Sequence, residues 1–177
     1  MNLANKITTL RILLIPVFLI FLMGNLPLGQ YIAAIIFIVA ASTDSLDGYI
    51  ARKRNQVTTI GKFLDPLADK LFITSALISL VGLGKISAII AIIIVSREFI
   101  ITGFRVIAAS EGIVIAASWW GKVKTITQIV AIVAILADNY PFNLIGFPFG
   151  DIMIIVAVIF TIVSGIDYIY KNKNVIM

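Results

Sequence analysis

The sequence contains no cysteine and no histidine, and only 13% of its 177 residues are charged. Without cysteine there are no disulfides and no thiolate chemistry, and the redox compartment cannot be read from the chain. Without histidine, any proton transfer or metal binding has to fall to carboxylates, lysines or tyrosines. Hydrophobic residues make up 60% of the chain, and mean hydropathy is +1.09. A water-soluble fold of this length cannot hide that much apolar surface, which excludes an ordinary cytosolic protein. Acidic residues number 9 against 14 Lys and Arg, a net charge of +5. In so apolar a chain this excess fits basic cytoplasmic loops or contact with anionic lipid. It offers no soluble basic surface to lie along a duplex, so nucleic acid is not expected as a partner.

Apolar runs separated by polar or Gly/Pro punctuation predict six spans: Ile7–Gly24, Tyr31–Ala51, Leu64–Gly82, Ile86–Ile107, Lys122–Ala137 and Asp151–Tyr170. At about 20 residues each they consume roughly 120 residues and leave too few for a soluble domain. The expected fold is an all-α membrane protein, a six-transmembrane-helix bundle forming one integral membrane domain over residues 1–177. The first run follows basic residues as a signal peptide would, but no small-residue cleavage site comes after it, so it reads as retained. Positive charge falls in the N-terminus (Lys6, Arg11), the second loop (Arg52, Lys53, Arg54, Lys62), the fourth loop (Lys122, Lys124) and the C-terminus (Lys171, Lys173). The other three loops hold only Lys85. By the positive-inside rule both termini are cytoplasmic. Tyr31, Trp119, Trp120, Tyr140 and Tyr168 fall near span ends, where interface anchors are expected. No internal repeat and no low-complexity tract is visible.

Four of the nine acidic residues fall within one short stretch: Asp44, Asp47, Asp65 and Asp69. Asp44 and Asp47 are i, i+3 at the end of the second span, and Gly48 and Ala51 continue that stripe. Gly61, Asp65 and Asp69 are i, i+4, i+8 and share a face if the third helix is continuous. Pro66 lies among them, so the helix either starts near it or kinks there. A loop of about ten residues makes the two spans antiparallel neighbours, and both acidic faces lie at the cytoplasmic end. Carboxylates converging at a bilayer edge repel one another unless positive charge sits among them. Arg52, Lys53, Arg54, Lys62 and Lys70 would supply it as a solvated ion-pair network, but they mostly fall elsewhere on the helices. A divalent-cation site is the stronger reading, and hard oxygen ligands without His or Cys favour Mg²⁺ or Mn²⁺. A cation held by carboxylates with open positions usually grips substrate phosphates, which points to phosphoryl transfer at a membrane surface. Gly48 and Gly61 would let a ligand or another backbone approach closely. For Gly61 a turn glycine closing the loop is an equal reading.

Asp44-Ser45-Leu46-Asp47-Gly48-Tyr49-Ile50-Ala51-Arg52, eight residues, then Gly61-Lys62-Phe63-Leu64-Asp65-Pro66-Leu67-Ala68-Asp69 resembles the signature of the CDP-alcohol phosphotransferase family. Eight positions at fixed gaps carry the match, and the six-span topology extends it over essentially the whole chain. The resemblance implies displacement of CMP from a CDP-linked alcohol by a second alcohol, at a site with two divalent ions. It implies Asp44, Asp47, Asp65 and Asp69 as metal ligands, with Asp69 also the general base. Gly48 and Arg52 resemble residues that hold the CDP moiety, Arg52 at the diphosphate.

The acceptor is sought among polar residues elsewhere in the spans. Arg97, Ile101 and Arg105 are i, i+4, i+8 on the fourth span, which puts Arg97 roughly 12 Å deeper than Arg105. A charge at that depth is costly and functional by default; the alternative is a buried ion pair between Glu98 and a base on another span. Gly121, Lys124, Thr125 and Gln128 share a face of the fifth span, whereas Lys122 reads as a snorkelling interface lysine. Several bases aimed at one pocket suggest an anionic acceptor, with a phosphate dianion the natural match. Ser96-Arg97-Glu98-Phe99, Arg105, Gly121-Lys122-Val123-Lys124-Thr125 and Gln128 resemble one branch of the family, the bacterial phosphatidylglycerophosphate synthases. So do Asn5, Thr8 and Arg11 ahead of Pro16, with Ala4 standing where the family often has Pro.

The branch implies transfer of phosphatidyl from CDP-diacylglycerol to glycerol 3-phosphate, with inositol phosphate or serine as alternative acceptors for the same chemistry. Asn5, Thr8, Gly48, Arg52 and Gly61 are then the candidates for binding the donor, and Arg97, Arg105, Lys124 and Arg11 for the acceptor phosphate. The resemblance also implies a homodimer in the cytoplasmic (inner) membrane of a bacterium, its site facing the cytoplasm. Two rivals are weighed. An intramembrane prenyltransferase predicts acidic motifs on two well-separated helix pairs, and the second half of this chain has none. A divalent-cation transporter places its ligands near the midplane, often within repeated halves; here all four acids fall at one membrane face.

Overall fold

The computed structural model describes residues 3–24, 26–53, 59–113, 115, 116 and 118–173, with side chains described outside 3–7, 44–53, 59–66 and 69. Among the described residues there are six α-helices and no strand. They are α1 (Leu3–Met23), α2 (Gly29–Lys53), α3 (Thr59–Gly82), α4 (Ala88–Ser110), α5 (Trp119–Leu136) and α6 (Phe149–Lys171). A 3₁₀ turn, Phe142–Ile145, lies between α5 and α6. Each helix coincides with one predicted span, shifted by local chemistry at its ends. Ser87 caps α4 by accepting from the Ile89 N–H, and Ser118 caps α5 by accepting from the Gly121 N–H at 3.1 Å. These hydroxyls satisfy backbone donors that have no partner within the helix, and so they set where each helix begins.

The chain comprises two compact units, Met1–Lys85 and Ile86–Met177. In the first, α1 packs on both α2 and α3. Its centre is an aromatic triad, Phe18, Phe37 and Phe72, one ring from each helix, all buried. The ring centroids are 5.4, 5.6 and 6.3 Å apart at tilts near 45°, within the range that aromatic pairs favour. Small residues flank it, with Ala33, Ala34 and Ala40 on α2 and Ala68 and Ala76 on α3 all buried. They allow close approach between helices that gain little from apolar burial when lipid surrounds them.

In the second unit α5 packs extensively on α6, and α6 also packs on α4. Trp120 stacks on Phe160 at 5.9 Å, whereas Gly150 sits against Ile135, so α5 and α6 run antiparallel. A Cβ on Gly150 would lie 3.0 Å from the Ile135 side chain; glycine is what permits this approach. Asn139 joins the two helices, accepting from the Gly150 N–H at 2.9 Å and donating to the Phe147 carbonyl.

Burial runs opposite to that of a soluble protein. Thr8, Arg11, Lys124, Gln128, Thr161 and Ser164 are buried, while Leu13, Ile20, Ile35, Ile78, Ile89, Phe99 and Ile166 are exposed. An exterior so apolar is untenable in water and is the surface a protein presents to lipid. By length and composition α5 and α6 are each able to cross a bilayer. Any 18 consecutive residues of α4 include Arg97, Glu98 and Arg105, so this helix depends on its neighbours to be tolerated there. One expectation fails: Tyr168 is not an interface anchor but is buried at 3% exposure, packed edge-on against Phe104. Tyr31, Trp119, Trp120 and Tyr140 are exposed as anchors should be.

Removing one ring of the triad leaves a cavity that the other two cannot fill. Phe37→Ala is expected to destabilise the protein by about 3 kcal/mol, read as a lowered midpoint of thermal unfolding in detergent.

Candidate functional site

In the first unit the backbone places the acidic signature. Asp44, Asp47, Gly48 and Arg52 lie in the last turns of α2, and Gly61, Asp65 and Asp69 in the first half of α3. α3 runs from Thr59 unbroken through Pro66. The helix therefore begins well ahead of the proline, and the i, i+4, i+8 register of Gly61, Asp65 and Asp69 is present in its backbone. The side chains of these seven residues, and that of Asn5, lie outside the described residues, as do residues 54–58 of the loop between the two helices.

Register nonetheless ties these positions to the aromatic triad. Arg11 precedes Phe18 by seven residues, Asp44 follows Phe37 by seven, and Asp65 precedes Phe72 by seven. Seven residues are close to two turns, about 10 Å of rise, so each position lies on the same face of its helix as the phenylalanine. The close approach of Gly29 to the Phe21 carbonyl makes α1 and α2 antiparallel, and only five residues separate α2 from α3, too few to return along the length of a helix. All three positions thus fall on the same side of the triad, at one level. Arg11 is buried at 2% exposure and Thr8, one turn before it, at 0%. The acidic signature and the two α1 residues therefore share one end of the first unit.

The donor set offers only carboxylate oxygens, with neither imidazole nor thiolate. That chemistry fits Mg²⁺ or Mn²⁺, which prefer hard oxygen ligands and leave positions for phosphate. Among the described residues no group of three or more His, Cys, Asp or Glu side chains comes together.

The second unit is described to its side chains. Glu98 of α4 receives two cations on one oxygen, Oε1. The Arg97 Nη1 donates at 3.1 Å, and the Lys124 Nζ of α5 makes a short ion pair. Lys124 is 2% exposed. The buried ion pair weighed for Glu98 is present, and two of the bases expected at an acceptor phosphate already share a carboxylate. Arg97 reaches on to α6, where its Nη2 donates to the Ser164 Oγ at 3.1 Å. Its stem lies over Gly165, where a Cβ would sit 3.4 Å from the arginine Cγ. Ser164 in turn donates to the Thr161 carbonyl at 3.1 Å.

Eight residues further along α4, the Arg105 Nε donates to the Tyr168 hydroxyl at 3.0 Å, and its guanidinium carbon lies 5.9 Å from that ring's centroid. The Arg97–Ser164 and Arg105–Tyr168 pairs advance together along α4 and α6, so these two helices are parallel. Arg97, Glu98 and Lys124 sum to +1, and Arg105 adds a second positive charge. A surplus of this kind inside apolar helices is a standing attraction for an anion.

The expected shared face of α5 is partly present. Lys124 and Gln128 are buried, Gly121 is half-buried, and Thr125 is exposed with its hydroxyl turned back to the Gly121 carbonyl at 3.0 Å. Lys122 is exposed, as a snorkelling lysine should be. Sequence reasoning missed Ser164 and the true role of Tyr168. The available signal was Thr161, Ser164, Gly165 and Tyr168, a small or polar stripe at i, i+3, i+4, i+7 through an otherwise apolar helix.

The pattern that defines CDP-alcohol phosphatidyltransferases matches residues 1–163, and this chain belongs to that family. Among its relatives, the CDP-diacylglycerol–glycerol-3-phosphate 3-phosphatidyltransferase of Bacillus subtilis (strain 168) is 49% identical, over 97% of this chain and 95% of the relative. Proteins of the same name from Haemophilus influenzae and Rickettsia bellii are 38% and 36% identical, each over 98% of this chain and covering 94% and 96% of their own lengths.

Glu98 takes both Lys124 and Arg97 on one oxygen, and its loss removes that carboxylate from a buried lysine and a half-buried arginine. Glu98→Ala is expected to cost about 3 kcal/mol or more, seen as a large drop in the thermal midpoint that Lys124→Met, made in the same background, partly restores.

Proposed function

We propose that this protein transfers the phosphatidyl group of CDP-diacylglycerol to glycerol 3-phosphate, forming phosphatidylglycerol phosphate and CMP. The reaction is the one its relatives are named for, at up to 49% identity over nearly the whole chain. The observation that carries the acceptor is the positive surplus of Arg97, Lys124 and Arg105 against the single carboxylate of Glu98, with Lys124 buried, Arg97 half-buried and Arg105 exposed. A neutral acceptor such as inositol or serine would gain little from it, whereas a phosphate dianion forms charge-assisted hydrogen bonds to it.

In this reading Asp44, Asp47, Asp65 and Asp69 hold two divalent ions, and Asn5, Thr8, Gly48, Arg52 and Gly61 hold the donor. Those ions, when bound, would neutralise the donor diphosphate and stabilise the leaving CMP. Arg52 pairs with the diphosphate. The acceptor enters from the cytoplasm, its phosphate drawn by Arg97, Arg105 and Lys124. Asp69 accepts the proton of the acceptor's primary hydroxyl, directly or through one water, with an oxygen not engaged by metal. The hydroxyl oxygen forms a bond to the phosphorus bearing diacylglycerol as the bond to the CMP oxygen breaks in line. The protein acts as a homodimer in the inner membrane of a bacterium, with both termini and the site on the cytoplasmic side.

Purified protein should release CMP only when CDP-diacylglycerol, glycerol 3-phosphate and a divalent ion are all supplied. CMP release with inositol or serine in place of glycerol 3-phosphate would overturn the acceptor while sparing the chemistry. Arg105→Ala should raise the KM for glycerol 3-phosphate about tenfold, with a smaller change in kcat. An effect confined to the KM for CDP-diacylglycerol would place Arg105 in the other pocket.

A further inference from the structure

Gln128 lies at the middle of α5, on the buried face it shares with Lys124 and one turn, about 6 Å, beyond it. It is completely buried, and neither its Nε2 nor its Oε1 has a hydrogen-bond partner. Its polar neighbours in the unit are served differently. Lys124 has Glu98, Thr161 donates to the Ala157 carbonyl, and Ser164 takes Arg97 and donates to the Thr161 carbonyl. The Arg97 Nε and Asp167 Oδ2 also lack partners, yet both of those side chains make other polar bonds. Gln128 makes none.

A buried amide with both ends unmet is destabilising relative to an apolar side chain of the same shape. Such a group calls for a partner outside the folded chain, an ordered water or a bound ligand. The amide narrows what that is. A phosphate oxygen only accepts, and would serve Nε2 while leaving Oε1 unmet. A hydroxyl both donates and accepts, and so can serve either end of the amide. The neighbouring cations of the same face suit a phosphate. The fitting ligand is therefore a small phosphate monoester with a neutral hydroxyl set back from its charged end.

We infer that Gln128 is a specificity-determining residue that binds a non-reacting hydroxyl of the acceptor, the one at C2 when the acceptor is glycerol 3-phosphate. The inference rests on the acceptor assigned under the proposed function. It separates the work of this end of α5 into two adjacent turns. Lys124, with Glu98 and Arg97, reads charge, and Gln128 reads the polyol.

The test compares glycerol 3-phosphate with 3-hydroxypropyl phosphate, which keeps the phosphate and the primary nucleophile and lacks only the C2 hydroxyl. Wild-type protein should favour glycerol 3-phosphate about 10- to 100-fold in kcat/KM. In Gln128→Met, of similar length and apolar, that preference should collapse to within about threefold. The same variant, without substrate, should melt in detergent at or above the wild-type temperature, because it removes an unpaired polar group. A preference that survives in Gln128→Met overturns the inference, as does wild-type protein that treats the two acceptors alike. A variant that unfolds, or melts well below wild type, also overturns it, since the amide would then have an internal partner. In either of the first two outcomes glycerol 3-phosphate is still consumed and the proposed function stands. Wild-type protein that consumes neither acceptor sinks both.

Discussion

Every polar side chain buried between these helices has to find its counterpart on its own helix, on another helix or on a ligand, because an apolar surrounding supplies none. That constraint organises the second unit. Glu98 collects Arg97 and Lys124, Ser164 takes the far side of Arg97, and Tyr168 takes Arg105. These bonds run from α4 to α5 and α6, and they hold three helices whose outer faces are almost wholly apolar. In lipid, apolar contact adds little net attraction between helices, so close packing at glycines and polar bonds across the interface become the specific cohesive forces. Gly150 and Gly165 serve the first and the Glu98 cluster the second.

The first unit uses the other half of the same logic. Phe18, Phe37 and Phe72 interlock and fix the register of α1, α2 and α3. Arg11, Asp44 and Asp65 then stand two turns away at one level. A one-residue slip of any of these helices would turn its charged position by about 100° and away from the others. An aromatic layer is thus a positioning device for charge two turns away along each helix.

Much of this was legible in the sequence, for reasons that can be named. The helices follow from the length of the apolar runs, but their starts do not: α3 begins at Thr59, well ahead of its apolar run, and Ser87 and Ser118 set the starts of α4 and α5 by satisfying backbone donors. The acidic signature was legible because its chemistry is local to two helices and its gaps are short. Partnership across helices was not. Nothing near Lys124 in the chain says that Glu98 lies within reach, so a lysine read as available for substrate is engaged by a carboxylate 26 residues away. Tyr168 misled for a similar reason: an aromatic hydroxyl near the end of a span looks the same whether it faces headgroups or an arginine of a neighbouring helix. The seven-residue relation between the triad and the charged positions was present in the sequence, and it acquires meaning only once three rings are seen to meet.

The charges of α4 bear on how the chain is made. A helix with Arg97 and Glu98 at its centre partitions poorly into a bilayer by itself, each such residue opposing insertion by about 2.5–3.5 kcal/mol. Its counterparts, Lys124 and Ser164, emerge from the ribosome 26 and 67 residues after the groups they join. In the membrane-spanning arrangement proposed for this chain, α4 would wait, sheltered within the insertion machinery or at the membrane surface, until α5 and α6 arrive.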